Sequence, residues 1–388
     1  MNNIKTYWLY PTRDCNLRCR YCYQNLIRNK TSVENKQETD ATEKVSISVT
    51  DTCTAAAPLY MSEETAKAVI EFIENDEPGR KKRIQFFGGE PLLAWNIIEK
   101  FVKELNSKVS YSITTNGTLL DEERLKFLKK NQFGIAVSID GPPGVTRKTR
   151  PGSENTPVDL IRRYYPTAQI IMTLSPHNIE DAYKSTVWFI NKGFRNIAHN
   201  IAVENEWSKA AVKSHHQVFR NLSDLYIKKQ LEERCHLGFL FINYARKVIR
   251  NSRYKGMRNI CGSNPNLLSI DTNGDIYPCQ DMVTLDINKK YRLGNVRSGY
   301  DPPGKIPLTK MKFENRSKCT YCWFYHQCVG GCGPKNLFIM GDRYTPITSG
   351  CELYSQQASE GIRALLNTGQ LELSNIEREK TDDRKRRF

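Results

Sequence analysis

Cys15-Asn16-Leu17-Arg18-Cys19-Arg20-Tyr21-Cys22-Tyr23 packs three cysteines into eight residues, spaced C-x3-C-x2-C. Thiolates this close converge on one metal centre or cluster. A structural zinc site takes four protein ligands, and a [4Fe–4S] cube also takes four. Three cysteines therefore leave one position open, either to a substrate or cofactor or to a distant fourth ligand as in a zinc knuckle. The stretch directly follows residues 4–11, a short aromatic-rich apolar run that reads as a strand.

Downstream, Ser62 reads as a helix cap with Glu63 and Glu64 in the first turn. Apolar runs at 83–87, 110–114, 134–139, 169–174 and 196–202 read as strands, and 92–105, 120–130 and 178–192 as helices. Strands alternating with helices of this length imply βαβ units and a parallel sheet. Residues 143–168 carry no clear period. Gly88-Gly89, Thr115-Asn116-Gly117 and Asp140-Gly141 each fall where a strand ends, which in a (β/α) barrel is the active-site face.

With 388 residues the chain has room for two or three domains. No apolar run approaches the ~18 residues of a membrane span. The N-terminus lacks the pattern of a signal peptide, so a cytoplasmic protein is expected. Twelve cysteines in a reducing compartment argue for metal binding rather than disulfides. A net charge of +16 favours anionic partners, including acidic peptides. The charge is spread along the chain and no basic run is interleaved with aromatics, so it reads as a solvated surface rather than a nucleic-acid site.

Residues 29–58 form a polar, irregular insertion containing Cys53. Residues 203–255 read as a helical linker with Trp207, Val212, Phe219, Leu222, Leu225 and Tyr226 on its apolar face and Cys235 as a buried structural thiol. After 256, glycine, proline and aromatics crowd around seven cysteines and periodicity fades, as in a small metal-organised domain. The expected division is 1–202, 203–255, 256–365 and a charged, disordered tail at 366–388.

The pattern C-x3-C-x-aromatic-C just past a first strand resembles the radical S-adenosylmethionine (SAM) superfamily. That resemblance implies an α/β fold, a partial (β/α)6 barrel. It also implies that Cys15, Cys19 and Cys22 hold three irons of a [4Fe–4S] cluster while SAM chelates the fourth. One electron then cleaves SAM to a 5′-deoxyadenosyl radical. Tyr21 fills the aromatic slot and would lie against the adenine. Gly88-Gly89-Glu90-Pro91-Leu92 is similar to the family's SAM-binding motif: the glycines Gly88 and Gly89 let backbone approach a ligand, and Glu90 meets the methionine amino group. Asn116 and Ser138 are the further SAM-binding candidates. The family's histidine after Asp-Gly-Pro is absent here, so no role is transferred to Gly141–Thr146.

Cys261-x12-Gly274-x4-Cys279, then Cys319-x2-Cys322-x5-Cys328-x3-Cys332 and Cys351, resemble the seven-cysteine SPASM domain. Zinc is the chemical alternative for such spacing. The resemblance implies two auxiliary [4Fe–4S] clusters, one on Cys319, Cys322, Cys328 and Cys351 and the other on Cys261, Cys279 and Cys332. The second set lacks a fourth cysteine, since none occurs in 262–270, so a non-cysteine ligand or an open iron completes it. Sulfatase maturases of this family place a catalytic aspartate directly after the second SPASM cysteine. Gln280 stands there in this chain, and Asp281, next to it, is the candidate general base.

The implied function is oxidation of a residue within a peptide or small protein, giving a thioether, a C–C or C–O crosslink or another oxidised residue. An auxiliary cluster would accept the remaining electron, and a flavodoxin or ferredoxin would be the donor. The triplet begins at residue 15, so leader recognition is expected from the barrel face, a separate protein or the 29–58 insertion. Formylglycine generation in sulfatases and epimerisation are alternatives within enzymes. A non-catalytic iron–sulfur or zinc protein is the alternative from another class.

Overall fold

The computed structural model describes residues 4–24, 57–105, 108–252 (250–252 by backbone alone), 266–285, 289–301, 319, 322, 328, 331–343 and 345–371. Strand β1 (Ile4–Thr12) leads into the cysteine loop. Beyond it, helix α1 (Glu63–Asn75) starts where expected, with the Ser62 hydroxyl accepting the Thr65 N–H at 3.1 Å. Strand β2 (Lys81–Gly88), helix α2 (Trp95–Leu105), β3 (Ser110–Thr115), α3 (Glu122–Lys130) and β4 (Gly134–Ser138) follow in strict alternation. The stretch without a period resolves into two short helices, α4 (Pro143–Thr149) and α5 (Val158–Tyr164). Each spans only about two turns, too few for a period to repeat in sequence. Then come β5 (Gln169–Leu174), α6 (Ala182–Asn191) and β6 (Asn196–Ile201).

Strands β1 to β6 pair in chain order and all in parallel. Their alternate residues (Tyr7, Leu9, Ile84, Phe86, Ile113, Val137, Ile170, Met172) meet Ile98, Phe101 and Leu125 of the covering helices in one apolar core. Phe86, Tyr111 and Phe133 stack near parallel within it. Each such ring contributes roughly 1.5–3 kcal/mol by leaving water, which fixes the sheet and hence where its strand ends lie.

The region read as a helical linker holds helices α7 (Lys209–Leu231) and α8 (Leu240–Ser252), with a two-residue strand β7 (Gly238–Phe239) between them that pairs with β6. Val212, Phe219, Leu222 and Tyr226 are buried as expected. Cys235 sits in the turn after α7 and is half-buried rather than enclosed in a helix.

The cysteine-rich region departs from the expected picture of a separate irregular unit. Its strand β8 (Leu267–Ile270) pairs in parallel with β1, Leu268 opposite Tyr7. Strands β9 (Asp275–Tyr277), β10 (Gly294–Asn295) and β11 (Gly299–Tyr300) continue the sheet antiparallel, giving eleven strands in all among the described residues. Short helices α9 (Gln280–Leu285) and α10 (Gly333–Met340) follow β9 and Cys332. A long helix, α11 (Thr348–Asn367), carries Cys351 in its first turn and packs on α7 and α8. The Ser223 hydroxyl donates to the Glu360 carbonyl at 2.9 Å, and a Cβ at Gly361 would lie 2.6 Å from that of Ala245. No helix of the described residues is long and apolar enough to cross a membrane. Cys53, Cys261 and the tail beyond 371 lie outside the described residues.

Candidate active site at the strand ends

The cysteine loop is held from both sides. Arg13, the first residue after β1, donates to both carboxylate oxygens of buried Asp271 and to the Val283 carbonyl at 2.9 Å. On the other side, Glu90 N–H donates to the Asp14 carbonyl at 2.7 Å and Gly89 N–H to that of Thr12 at 3.2 Å. A Cβ at Gly89 would sit 1.9 Å from the Asp14 carbonyl oxygen, and one at Gly88 (φ +134°) 2.3 Å from that of Thr12. The two glycines were expected to admit a ligand. The close approach they permit is that of the chain's own loop.

Two side chains and one backbone N–H face the sulfurs. Asn116 Nδ2 lies 3.9 Å from Cys15 Sγ and donates to Asn16 Oδ1 at 2.8 Å. Leu17 N–H points at Cys15 Sγ (3.5 Å), and Arg150 Nη1 at Cys19 Sγ (3.8 Å). Cys15, Cys19 and Cys22 pack together with Leu17, Tyr21 and Ala202. Burial pushes the Cys19 thiol up to about 11, against the pull of the Arg150 cation. Among the described residues no three His, Cys, Asp or Glu side chains converge on a single ion-sized point.

Glu90 is 1% exposed and accepts from Asn116 N–H (2.7 Å), Leu92 N–H (3.0 Å) and the Thr115 hydroxyl (2.7 Å). Burial raises its carboxyl to about 7 in spite of those donors. A carboxylate offers roughly four acceptor sites, so one remains for an external amino group. Ser138 ends β4, half-buried, its backbone in register with Ile171.

Sequence reasoning placed Asp140 at a strand end without giving it a role, and it missed Arg150. The Tyr21 hydroxyl donates to Asp140 Oδ2 at 2.6 Å, as does the Thr149 hydroxyl at 2.6 Å, while Thr173 N–H donates to Oδ1 at 3.0 Å. Arg150 Nε lies 3.4 Å from Asp140 Oδ1, with its guanidinium 5.2 Å from the Tyr21 ring centroid. Tyr21 is therefore fixed by β4 and α4, and one face of its ring is taken by a cation. The Asp-Gly pair closing a strand was a visible signal for Asp140; nothing local marked Arg150.

The C-terminal cysteines lie beside this face. Lys335, three residues past Cys332, pairs with Glu204 beyond β6 at 3.1 Å and sits 5.6 Å from the ring centroid of Tyr23, which follows Cys22. Burial pulls the Lys335 ammonium down, yet Glu204 and Asp281 together hold it above its ordinary value. Cys328, Cys332 and Cys351 line one cavity of ≈ 250 Å³ with Tyr244 and Tyr354; Cys319 and Cys322 are not in its wall. Asp281, in the first turn of α9, accepts the Cys332 thiol at 3.3 Å, and the Gln280 carbonyl accepts the Tyr10 hydroxyl at 2.8 Å.

Residues 9–188 match the Radical SAM superfamily model. A cysteine-type anaerobic sulfatase-maturating enzyme of Clostridium perfringens is 23% identical over 346 residues, covering 82% of this chain and 85% of that protein. The radical SAM cyclopropyl synthase TigE of Paramaledivibacter caminithermalis is 26% identical over 348 residues, covering 85% and 68%. In structure, native anSMEcpe with bound AdoMet superposes with a TM-score of 0.70 at 20% identity over 95% of this chain and all of that one. Streptococcus suis SuiB bound to S-adenosylmethionine gives 0.57 at 16% identity, over 89% of this chain and 76% of that one.

Radical SAM enzymes use a [4Fe–4S] cluster with SAM, and the loop's donor set fits that group. Three thiols are gathered in an apolar cluster, N–H donors face two of them, and three cysteines leave one of four iron positions open. The chain thus carries a radical SAM domain at residues 9–188, homologous to that of the anaerobic sulfatase-maturating enzymes and of cyclopropyl synthase TigE.

Proposed function

We propose that this chain is a radical SAM/SPASM enzyme that oxidises a residue within a peptide or small-protein substrate, forming a thioether or a C–C or C–O crosslink. The observation that carries the reading is the meeting of the two cysteine regions: Lys335, just past Cys332, spans to Glu204 at the barrel mouth and to Tyr23 beside Cys22. A substrate seated there touches both. Relatives solved with peptides (native anSMEcpe with Cp18Cys, SuiB with its precursor SuiA) support a peptide as the substrate class.

In this reading Cys15, Cys19 and Cys22 hold the cluster that SAM completes, and together these groups supply a 5′-deoxyadenosyl radical able to abstract hydrogen from an unactivated carbon. Glu90 offers its remaining acceptor site to the amino group of SAM. Asn116 and Ser138 flank the ligand from β3 and β4, Gly88 and Gly89 contribute backbone, and Tyr21 presents the ring face opposite Arg150. Cys261, Cys279 and Cys332, and Cys319, Cys322, Cys328 and Cys351, hold two auxiliary [4Fe–4S] clusters. The working division is a SAM-binding core at 1–202, helices to 255, the SPASM region to 365 and a tail. The enzyme acts in the cytoplasm with a flavodoxin or ferredoxin as donor.

The test is reduction with dithionite in the presence of SAM and synthetic peptides. SAM cleavage to 5′-deoxyadenosine, with deuterium arriving from labelled peptide, supports the reading; no reductive cleavage by iron-replete protein sinks it. Formylglycine generation is the second reading, favoured by the sulfatase-maturating relatives and opposed by Gln280 in the expected aspartate position. A sulfatase peptide whose cysteine or serine turns into formylglycine decides for it.

A further inference from the structure

Asn16, Arg18 and Arg20 are exposed, while Leu17, Cys19 and Tyr21 between and after them are buried. This alternation gives the cysteine loop two faces. The inner one carries Cys19 to Arg150 and Tyr21 to Asp140. The outer one presents two arginines to water, in a loop whose Cys15 and Cys22 are only half-buried. Arg18 Nη1 donates to the Cys15 carbonyl at 2.5 Å and to the Leu17 carbonyl at 2.9 Å, which folds the guanidinium back onto the loop. Arg20 N–H donates to the Thr149 carbonyl at 2.9 Å, so its backbone is tied to the end of α4. Arg147 and Lys148 of that helix are matched by Glu154 and Asp181. Arg18 and Arg20 are matched by no carboxylate among the described residues. The Asp14 carboxylate is taken up by the Cys15 N–H (2.8 Å) and the Tyr60 hydroxyl (3.0 Å).

We propose that this outer face is the docking surface of the reductant, an acidic flavodoxin; the proposal rests on the reading of Cys15, Cys19 and Cys22 as ligands of the SAM cluster. In the docked pair the reduced flavin loses one electron and the cluster gains it; no bond forms or breaks and no group is transferred. An acidic carrier is steered by the field of a +16 chain, and two arginines without a carboxylate partner give it a defined place to land. A guanidinium forks onto carboxylates and stacks on flat rings. That suits a carrier whose flavin lies in a surface crevice better than one whose redox centre is enclosed by thiolates. A partner on the outer face meets the cluster through the loop itself. It can deliver an electron there without entering the inner side, where SAM and the peptide meet in this reading, so the peptide is not the occupant.

The test uses full-length, anaerobically reconstituted protein. Flavodoxin affinity is read by isothermal titration calorimetry, and SAM cleavage is driven either by flavodoxin with its reductase or by dithionite. The variants are Arg18→Gln with Arg20→Gln, and Arg20→Glu alone, which keeps the Arg18 bonds to the loop should the double variant fold poorly. Lys81→Gln with Lys130→Gln is the control. It removes the same charge from exposed positions at the start of β2 and the end of α3, away from the strand ends that carry the loop. Both loop variants should bind flavodoxin at least about tenfold more weakly, with a flatter salt dependence. Cleavage at limiting flavodoxin should fall alike, while dithionite-driven cleavage and the cluster's electron paramagnetic resonance signal stay as in wild type. A flavodoxin affinity unchanged in Arg20→Glu, or lowered as much in the lysine control, overturns the docking surface. A loss seen with ferredoxin or with an acidic peptide but not with flavodoxin overturns the choice of partner. A wild type that cleaves no SAM even with dithionite overturns the reading of the cysteine loop with it.

Discussion

Replacing Arg150 by methionine keeps most of the aliphatic stem and removes the cation. Its guanidinium is nearly buried, 3.4 Å from a fully enclosed Asp140 carboxylate and 3.8 Å from Cys19 Sγ. Breaking one side of a buried pair costs about 3–5 kcal/mol because the other charge is stranded. Asp140 retains bonds from Tyr21, Thr149 and the Thr173 N–H, which places the loss near the lower bound, about 3 kcal/mol. For a chain of this size that corresponds to a fall in Tm of roughly 4 °C. Removing both charges in Arg150→Met with Asp140→Leu should recover part of the loss, since an apolar pair of similar volume is often as stable as the ion pair. Differential scanning calorimetry on the two single variants and the double variant gives the cycle. A single variant within 1 °C of wild type, or a double variant whose loss equals the sum of the two singles, refutes the claim that this pair anchors the cysteine loop.

Gly89→Ala forces a Cβ to within 1.9 Å of the Asp14 carbonyl; a stability loss of at least about 3 kcal/mol is expected, read from urea midpoints, and an unchanged midpoint contradicts the packing described. Tyr21→Phe deletes the 2.6 Å bond to Asp140 and should cost about 1–2 kcal/mol while leaving the ring in place, so reductive SAM cleavage should survive in that variant. His199 and His215, buried among Phe219, Phe239 and Phe241, are pulled down by burial to about 3 and about 4. Both stay neutral when folded but take up protons when unfolded, so their contribution is fully present above about pH 6.5 and is lost as pH falls toward 4, by about 1.4 kcal/mol per pH unit for each. Urea titrations at pH 7, 6 and 5 should show that slope, halved in a His215→Phe variant; a flat profile removes the claim.

The sheet, the loop and the glycine motif were legible because each is local. A period of two or of 3.6 residues marks strands and helices, and cysteines or glycines within nine residues announce themselves. Parallel pairing of β8 with β1 joins residues some 260 positions apart through four residues, too short for any period to show. The Arg150–Asp140–Tyr21 tie likewise depends on how α4 folds back over the loop. What packs against Gly88 and Gly89 was hidden for the same reason: sequence shows that something approaches closely, and the fold places the carbonyls of Thr12 and Asp14 there. Helix α11 was hidden because cysteine, glycine and proline around 328–351 mask the apolar face of Leu353, Ala358, Ala364 and Leu365 that follows.

The most direct measurement is the iron and sulfide content, with electron paramagnetic resonance, of anaerobically purified protein beside a Cys15→Ala, Cys19→Ala, Cys22→Ala triple variant. The account predicts about twelve irons in wild type, falling to about eight with loss of the SAM-responsive signal. Stoichiometric zinc with little iron in the anaerobic wild type contradicts it.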